Sequence, residues 1–394
     1  MTTLPAQKST CQRWAAWCFC LLIFTIICTD VAIHPDKHNT WPTYRDASTN
    51  WWAGKDPYSE NLHAGFFYFP QAAFLFTPFN TLPHLTDKLV LGELVWRAFT
   101  FGLFLYALHR LYLFFLSEKS LARDCTFLFL ALLAVPSSFA SLRNAQFDLP
   151  LAALVVLATA EVAAERWSVA ALWLCLAVAL KPLGVVPLLL FCALYWRLIP
   201  RVLVGLVIVI ALPFLHWSPS FVAQEYRRCY EALTLASDAN EPRYSDLAAL
   251  LAHVGVIVPA IAKTIARVIF ALAYLGLGAM AVRRLTLAQS AWAIGALAAD
   301  YLMLFNPRTE TCSYVFLGPF VASLALYYSA QGRRWLARGL GFAAVGLACD
   351  AFPRLGSFSV HDMTDRWFKP LIALVFLVAL IAFVLQPRRE EPKS

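Results

Sequence analysis

Apolar runs separated by short polar breaks recur along the whole chain. The segments 14–33, 90–116, 125–142, 149–164, 168–180, 183–196, 202–217, 264–282, 287–305, 314–330, 336–352 and 368–386 are predominantly apolar. A helix needs roughly 20 such residues to cross a bilayer. The pattern predicts an all-α polytopic membrane protein of about 12 transmembrane helices, with both termini on one side. Several runs are short for a crossing. The pair 168–180 and 183–196 reads as one long helix or as a hairpin. Lys181-Pro182-Leu183-Gly184 at its centre favours the hairpin, because a cation and a helix breaker suit a tip better than a bilayer midplane.

Two intervals between runs are long, 34–89 and 218–263. Inside the first, 66–79 is apolar, too short to span, and interrupted by Pro70 and Pro78. Such a segment suits an interfacial or re-entrant helix, and 247–260 reads the same way. Many of the short intervals are basic: Lys119/Arg123, Arg166, Arg197/Arg201, Arg283/Arg284 and Arg333/Arg334/Arg338, joined by a tail, 387–394, carrying Arg388, Arg389 and Lys393. The positive-inside rule places these and the N-terminus in the cytoplasm, and the two long loops outside. The whole chain, 1–394, reads as a single membrane-embedded domain.

Composition agrees. Hydrophobic residues make up 60% and charged residues 14%, against about a quarter charged in soluble domains. The net charge of +8 fits basic inner loops facing anionic lipid. No basic run exceeds two residues, so nucleic acid is not an expected partner. The Lys8/Arg13 start and apolar 14–29 resemble a signal peptide, but the run is long and no small-x-small site follows, so an uncleaved span is expected. Of ten cysteines, most fall in apolar runs and none forms a CxxC pair, which argues against a metal or redox framework. Cys229 and Cys312 lie in loops and are available to pair.

The charged residues cluster at one surface. Asp46, Glu93, Arg97, Arg143, Asp148, Lys181, Arg267, Asp300, Arg308 and Glu310 all fall at or near the outer ends of the predicted spans; His109 and Arg110 are the nearest to an exception. A channel or proton-coupled transporter would line a route through the bilayer with such groups. The clustering points instead to a site at the outer face, open to lipid and water.

Such a site suits sugar transfer from a polyprenyl phosphate to a hydroxyl. That chemistry needs a base for the hydroxyl proton and cations where charge develops on the departing phosphate. Asp46 is the candidate base. Lys181, Arg143 and Arg308 are candidates for the phosphate, and Gln146 and Asn50 for further polar contact. Tyr44 and Tyr68, with Trp51, Trp52 and Tyr58, are candidates for stacking on sugar faces. Each has a plainer role open to it. Asp46 would equally cap a helix near 47–53 that ends at Gly54. Trp51 and Trp52 suit a headgroup belt, Asp56 a turn before Pro57, Asp300 an ion pair with Arg267 or Arg308, and His216 a satisfied polar contact. The catalytic reading expects Asp46, Lys181 and Arg308 in one cavity.

The block from Asp46 through Ala53-Gly54-Lys55-Asp56-Pro57-Tyr58 and Phe67-Tyr68-Phe69-Pro70 to Leu82-Pro83 resembles glycosyltransferase family 87. Asn144-Ala145-Gln146-Phe147-Asp148 resembles that family's Gly-Gln-x-Asn element. Ala179-Leu180-Lys181-Pro182 resembles its Lys-Pro hairpin, and Asn306-Pro307-Arg308 its Ser-Pro turn. Ala145 stands where the family element has Gly, Gln71 where a second Pro is common, and Arg308 and Glu310 in a region where His is frequent. The resemblance extends over about 14–330. It implies a GT-C-like bundle in the plasma (inner) membrane, with its site facing the periplasm or exterior. It implies inverting transfer of a hexose, most simply mannose, from a polyprenyl-phosphate sugar to a lipid-linked or glycan acceptor, with Asp46 as base and Lys181 at the phosphate. Membrane lipids, donor and acceptor would be the partners, with no metal and no cofactor beyond the donor. The alternative is a transporter or flippase of a lipid-linked saccharide.

Overall fold

The computed structural model describes residues 5–34, 39–58, 65–83, 85, 90–116, 123–237, 244–349, 354–355, 358–359 and 367–386. The tail 387–394 and parts of both long loops lie outside them. Among the described residues the regular structure is helical, apart from a two-residue antiparallel pairing of Arg354–Leu355 with Phe358–Ser359. The helices are α1 (Pro5–Ile33), α2 (Trp41–Trp52), α3 (Pro70–Leu75), α4 (Thr77–Asn80), α5 (Leu91–Leu111), α6 (Arg123–Ala134), α7 (Phe139–Arg143), α8 (Asp148–Ala163) and α9 (Trp167–Leu180). There follow α10 (Val185–Leu194), α11 (Ile199–Ala211), α12 (Pro219–Ser237), α13 (Leu247–His253), α14 (Ala260–Arg284), α15 (Leu287–Phe305), α16 (Gly318–Ala330), α17 (Arg334–Gly346) and α18 (Lys369–Val384).

Among the described residues, six helical stretches are long and apolar enough to cross a bilayer: Trp14–Ile33, Leu91–Leu116, Trp196–Leu215, Ala260–Arg284, Leu287–Phe305 and Thr311–Ala330. The other six predicted segments are helical but shorter, so the count of about 12 remains a reading of the sequence. Burial sorts the six. Leu287–Phe305 and Thr311–Ala330 are 78% and 89% buried, whereas Trp14–Ile33, Trp196–Leu215 and Ala260–Arg284 are 17–22% buried. Exposed Ile, Leu and Val on the latter three would be costly in water and cost nothing in lipid. The centre is α8, buried along nearly its whole length, between α5, α9 and α15. Close approach there depends on Gly295: a Cβ would fall 2.4 Å from Thr159 Oγ1 on α8. Small residues at helix crossings serve this purpose in membranes.

The pair 168–180 and 183–196 is broken, not continuous. Lys181 is extended (φ −151°, ψ 137°) between α9 and a 3₁₀ turn at Pro182–Gly184. The described residues of the first long loop include α2, α3 and α4, which pack together. α2 buries Trp41, Tyr44, Ala47, Ser48 and Trp51 on one helical face, and these pack with Phe66, Phe76, Trp96 and Phe147. The second long loop, in which the sequence marked only 247–260 as an interfacial or re-entrant segment, contains the 19-residue α12. Its Val222 joins the same cluster.

Buried charges are paired to hold elements together. Arg97 on α5 donates to Glu93 Oε1 (2.7 Å), to the Leu142 carbonyl (3.1 Å) and to the Arg143 carbonyl (2.9 Å). Arg110, the apparent exception in the inner half of its span, pairs with Glu161 of α8 at 2.7 Å. The expected ion pair of Asp300 with Arg267 or Arg308 is not made. Asp300 accepts a hydrogen bond from Tyr274 on α14, while Arg267 Nε donates to the Phe305 carbonyl. Cys229 and Cys312 are free thiols.

Candidate active site

The segment before α8 brings the polar groups together. α7 ends at Arg143, and the chain turns through Ala145 at φ +56° before α8 starts at Asp148. Main-chain oxygens of this turn are held from both sides. The Ala145 carbonyl accepts from Trp96 Nε1 (2.9 Å), and the Asn144 carbonyl from Thr40 Oγ1 (2.6 Å). Gln146 and Asp148 thereby face the break at Lys181. Lys181 Nζ donates to Asp148 Oδ1 at 2.6 Å, and Ser313 Oγ donates to Asp148 Oδ2 at 2.9 Å. Gln146 Nε2 donates to Glu310 Oε2 at 2.8 Å, and the Cys312 thiol donates to Gln146 Oε1. The Lys181 ammonium lies 5.9 Å from the centre of the Tyr68 ring.

Tyr68 is half-buried at the edge of this centre. Its hydroxyl lies 3.2 Å from that of Tyr44. Tyr44 is itself buried, edge-on to Phe76 and tilted against Phe147, so it supports Tyr68 and presents no open face. Arg308 stacks on Phe67, 4.7 Å from the ring centre, and its Nε donates to the Tyr244 hydroxyl at 2.7 Å. Tyr44, Tyr68, Gln146 and Lys181 are therefore gathered in one place, with Arg308 on the residue preceding Tyr68. Arg143 is not. It turns to α1, pairing with Asp30 and donating to the His34 carbonyl.

Asp46 and Asn50 sit elsewhere, one turn apart on the outer face of α2. They line a cleft of about 270 Å³ with Pro42, Thr43, Ala47, Asp56, Pro57, Tyr58, Gly65 and Phe66. Lys181 and Arg308 are not in its lining, so the three charges expected in one cavity are not found in this one. The wall between is aromatic: Phe66 contacts Tyr68 at 5.1 Å between ring centres, and the Tyr58 hydroxyl donates to the Tyr68 carbonyl. The Asp46 carboxylate is 60% exposed and pairs with Arg45 at 2.9 Å. Its capping role is ruled out, because the helix starts at Trp41, with a proline in its first turn. Gly54 does follow the end of α2, with φ +65°. Asp56 makes the expected turn, Oδ1 accepting from the Tyr58 amide at 2.8 Å. Trp51 is neither a belt anchor nor a platform, since it is fully buried. His216 Nδ1 accepts from the Ser218 amide, but its buried Nε2 has no partner.

Behind the cleft, Arg228 on α12 bridges Asp56 (3.4 Å) and Glu225 (2.6 Å). Burial pushes the Glu225 carboxyl up to about 7. The Arg228 guanidinium pulls the other way, and the Asp56 carboxylate adds to the rise. Among the described residues, no group of three His, Cys, Asp or Glu side chains gathers in a metal-holding arrangement.

Sequence reading missed the role of Asp148, Ser313 and Cys312 in this centre. A usable signal was present: Gln146 and Asp148 head one span, while a lone lysine interrupts the neighbouring pair.

Chemically, the centre offers an ammonium, amide groups and a half-open aromatic ring at the ends of membrane helices. The adjoining cleft offers carboxylates to water. This is a membrane protein whose polar groups gather where apolar helices end. Residues 66–307 match the model of glycosyltransferase family 87. That is more than half the chain, and the protein belongs to this family: it is a membrane glycosyltransferase. The matched span begins beyond Asp46 and ends just before Arg308. The chain matches no curated protein and no solved structure.

Proposed function

We propose that the protein transfers a hexose, most simply mannose, from a polyprenyl-phosphate sugar to a lipid-linked or glycan acceptor at the outer face of the plasma (inner) membrane, within a GT-C-type helical arrangement. The observation that carries this reading is Lys181. An ammonium at a break between two apolar helices, beside a half-buried tyrosine ring, suits a phosphate whose hydrocarbon stays in lipid. Gln146 and Arg308 add polar contacts nearby, and the Tyr68 face suits a sugar ring.

In the reaction, the acceptor oxygen attacks the anomeric carbon and its proton passes to the Asp46 carboxylate. The bond from that carbon to the phosphate oxygen breaks, and its electron pair leaves with the polyprenyl phosphate. Attack opposite the departing oxygen inverts the anomeric centre. Asp46 and Asn50 would receive the acceptor from the water-open cleft, on the far side of Phe66 and Tyr68. No metal or cofactor beyond the donor is invoked.

The test is a transfer assay in membranes that offers several polyprenyl-phosphate sugars to the wild type and to Asp46→Asn. The variant should express normally and lose about 100-fold or more of its rate, the scale of a general base. Equal turnover by both proteins removes Asp46 from the mechanism. Passage of an intact lipid-linked saccharide across the membrane, without sugar transfer, would establish the transporter instead.

A further inference from the structure

We infer that Asp148, assisted by Ser313, positions the Lys181 ammonium for departure of the phosphate; the inference rests on the transfer reading above. Asp148 is completely buried yet carries no contact to the water-open cleft. Both its oxygens are engaged, one by Lys181 Nζ at 2.6 Å and the other by Ser313 Oγ at 2.9 Å. It is also the first residue of α8, where the helix's own field favours a negative charge. The carboxylate is thus fixed by its helix and by a hydroxyl from the Thr311–Phe316 turn, and it fixes the lysine in turn.

Lys181 needs that help. Its charge ends a flexible four-carbon stem, which starts from an extended residue outside any helix. An ammonium has three N–H donors, and Asp148 takes one. The side chain is 19% exposed, and its ammonium lies 5.9 Å from the centre of the Tyr68 ring, so the proposal gives its remaining donors to the phosphate at that edge. When the sugar–phosphate bond breaks, the electron pair goes to the phosphate oxygen and the phosphate gains one negative charge. Donors already aimed at that oxygen stabilise the charge without first reorganising. Asp148 would touch neither sugar nor phosphate, so its influence runs through Lys181. Position 148 holds a carboxylate where the family element it resembles has Asn. Asp148→Asn is a conservative change in shape that removes the charge and turns one of the two accepting oxygens into a donor.

The experiment is a kinetic cycle on the purified full-length protein in detergent, with the polyprenyl-phosphate sugar that the wild type turns over. Asp148→Asn should lower kcat about tenfold, with donor KM within about threefold. In a Lys181→Met background the same change should alter kcat less than twofold, because the group it positions is gone. Ser313→Ala, which keeps both charges, should give a smaller loss of kcat, again with donor KM within about threefold. It serves alone if Lys181→Met does not fold. An equal loss from Asp148→Asn in both backgrounds, or unchanged kcat in both Asp148→Asn and Ser313→Ala, overturns the assignment. A wild type that transfers no sugar from any such donor sinks the transfer reading itself. An active wild type with an indifferent Asp148 sinks only this inference.

Discussion

Ala145 shows how a single residue records the geometry of the site. Its φ of +56° lies in the left-handed region, where a Cβ is unfavourable by about 1–2 kcal/mol, and the family element it resembles has Gly there. The conformation is retained because its own carbonyl and that of Asn144 are tied down, by Trp96 and by Thr40. A β-branched side chain would be worse still. Ala145→Val should destabilise the protein by about 2 kcal/mol or more, read as a lower unfolding temperature in detergent, whereas Ala145→Gly should be tolerated. An unchanged unfolding temperature for Ala145→Val would show that the turn is not held in this form. The sequence marks position 145 as a departure from the family, but a left-handed φ cannot be read from an alanine.

At the scale of the element, α12 and α2 carry what the sequence conceals. The alternation of apolar and polar positions revealed α8, α14 and α15, because long apolar helices announce themselves. It did not reveal α12. A helix with Arg227, Arg228 and Glu225 among its apolar positions reads as loop when only hydropathy is followed. The α2 start was misjudged for a related reason: Trp41 and Pro42 lie before the acidic residue that looked like a cap, and the proline sets the first turn. The pairing of Lys181 with Asp148 was likewise illegible, since 33 residues separate them and only the return of α9 along α8 joins them.

The same helix α12 supplies a pH dependence. The Glu225 carboxyl stands near 7 in the folded protein against an ordinary 4.5. Folded protein therefore keeps a proton that the unfolded chain gives up between those values. Stability should fall as pH rises from about 4.5 to 7, and the full penalty is present above 7. Glu225→Gln keeps the shape and removes the titration. It should unfold at a higher temperature than wild type at pH 8, and show a shallower slope between pH 5 and 7, by an amount on the order of a few kcal/mol at most. Parallel pH profiles for the two proteins would exclude Glu225 as the cause.

For the whole molecule, orientation decides which face carries the chemistry. The basic short loops and the two long loops point to one answer, and the cleft of Asp46 and the centre around Lys181 both belong to the long-loop side. Reporter fusions after Asp56 and within 218–237 should be active outside the cytoplasm, and a fusion after Arg284 inside. A fusion after Asp56 active in the cytoplasm would invert the protein and place its chemistry on the other face.

Arg97 has a consequence for how such proteins are judged. Its guanidinium is committed to two main-chain oxygens of the neighbouring helix end and to Glu93, so nothing remains to attract a travelling ion. It acts as a bolt between segments. Tallying ionisable residues within membrane segments therefore overstates how many are free to serve traffic, and a protein with several of them can still offer no conduit.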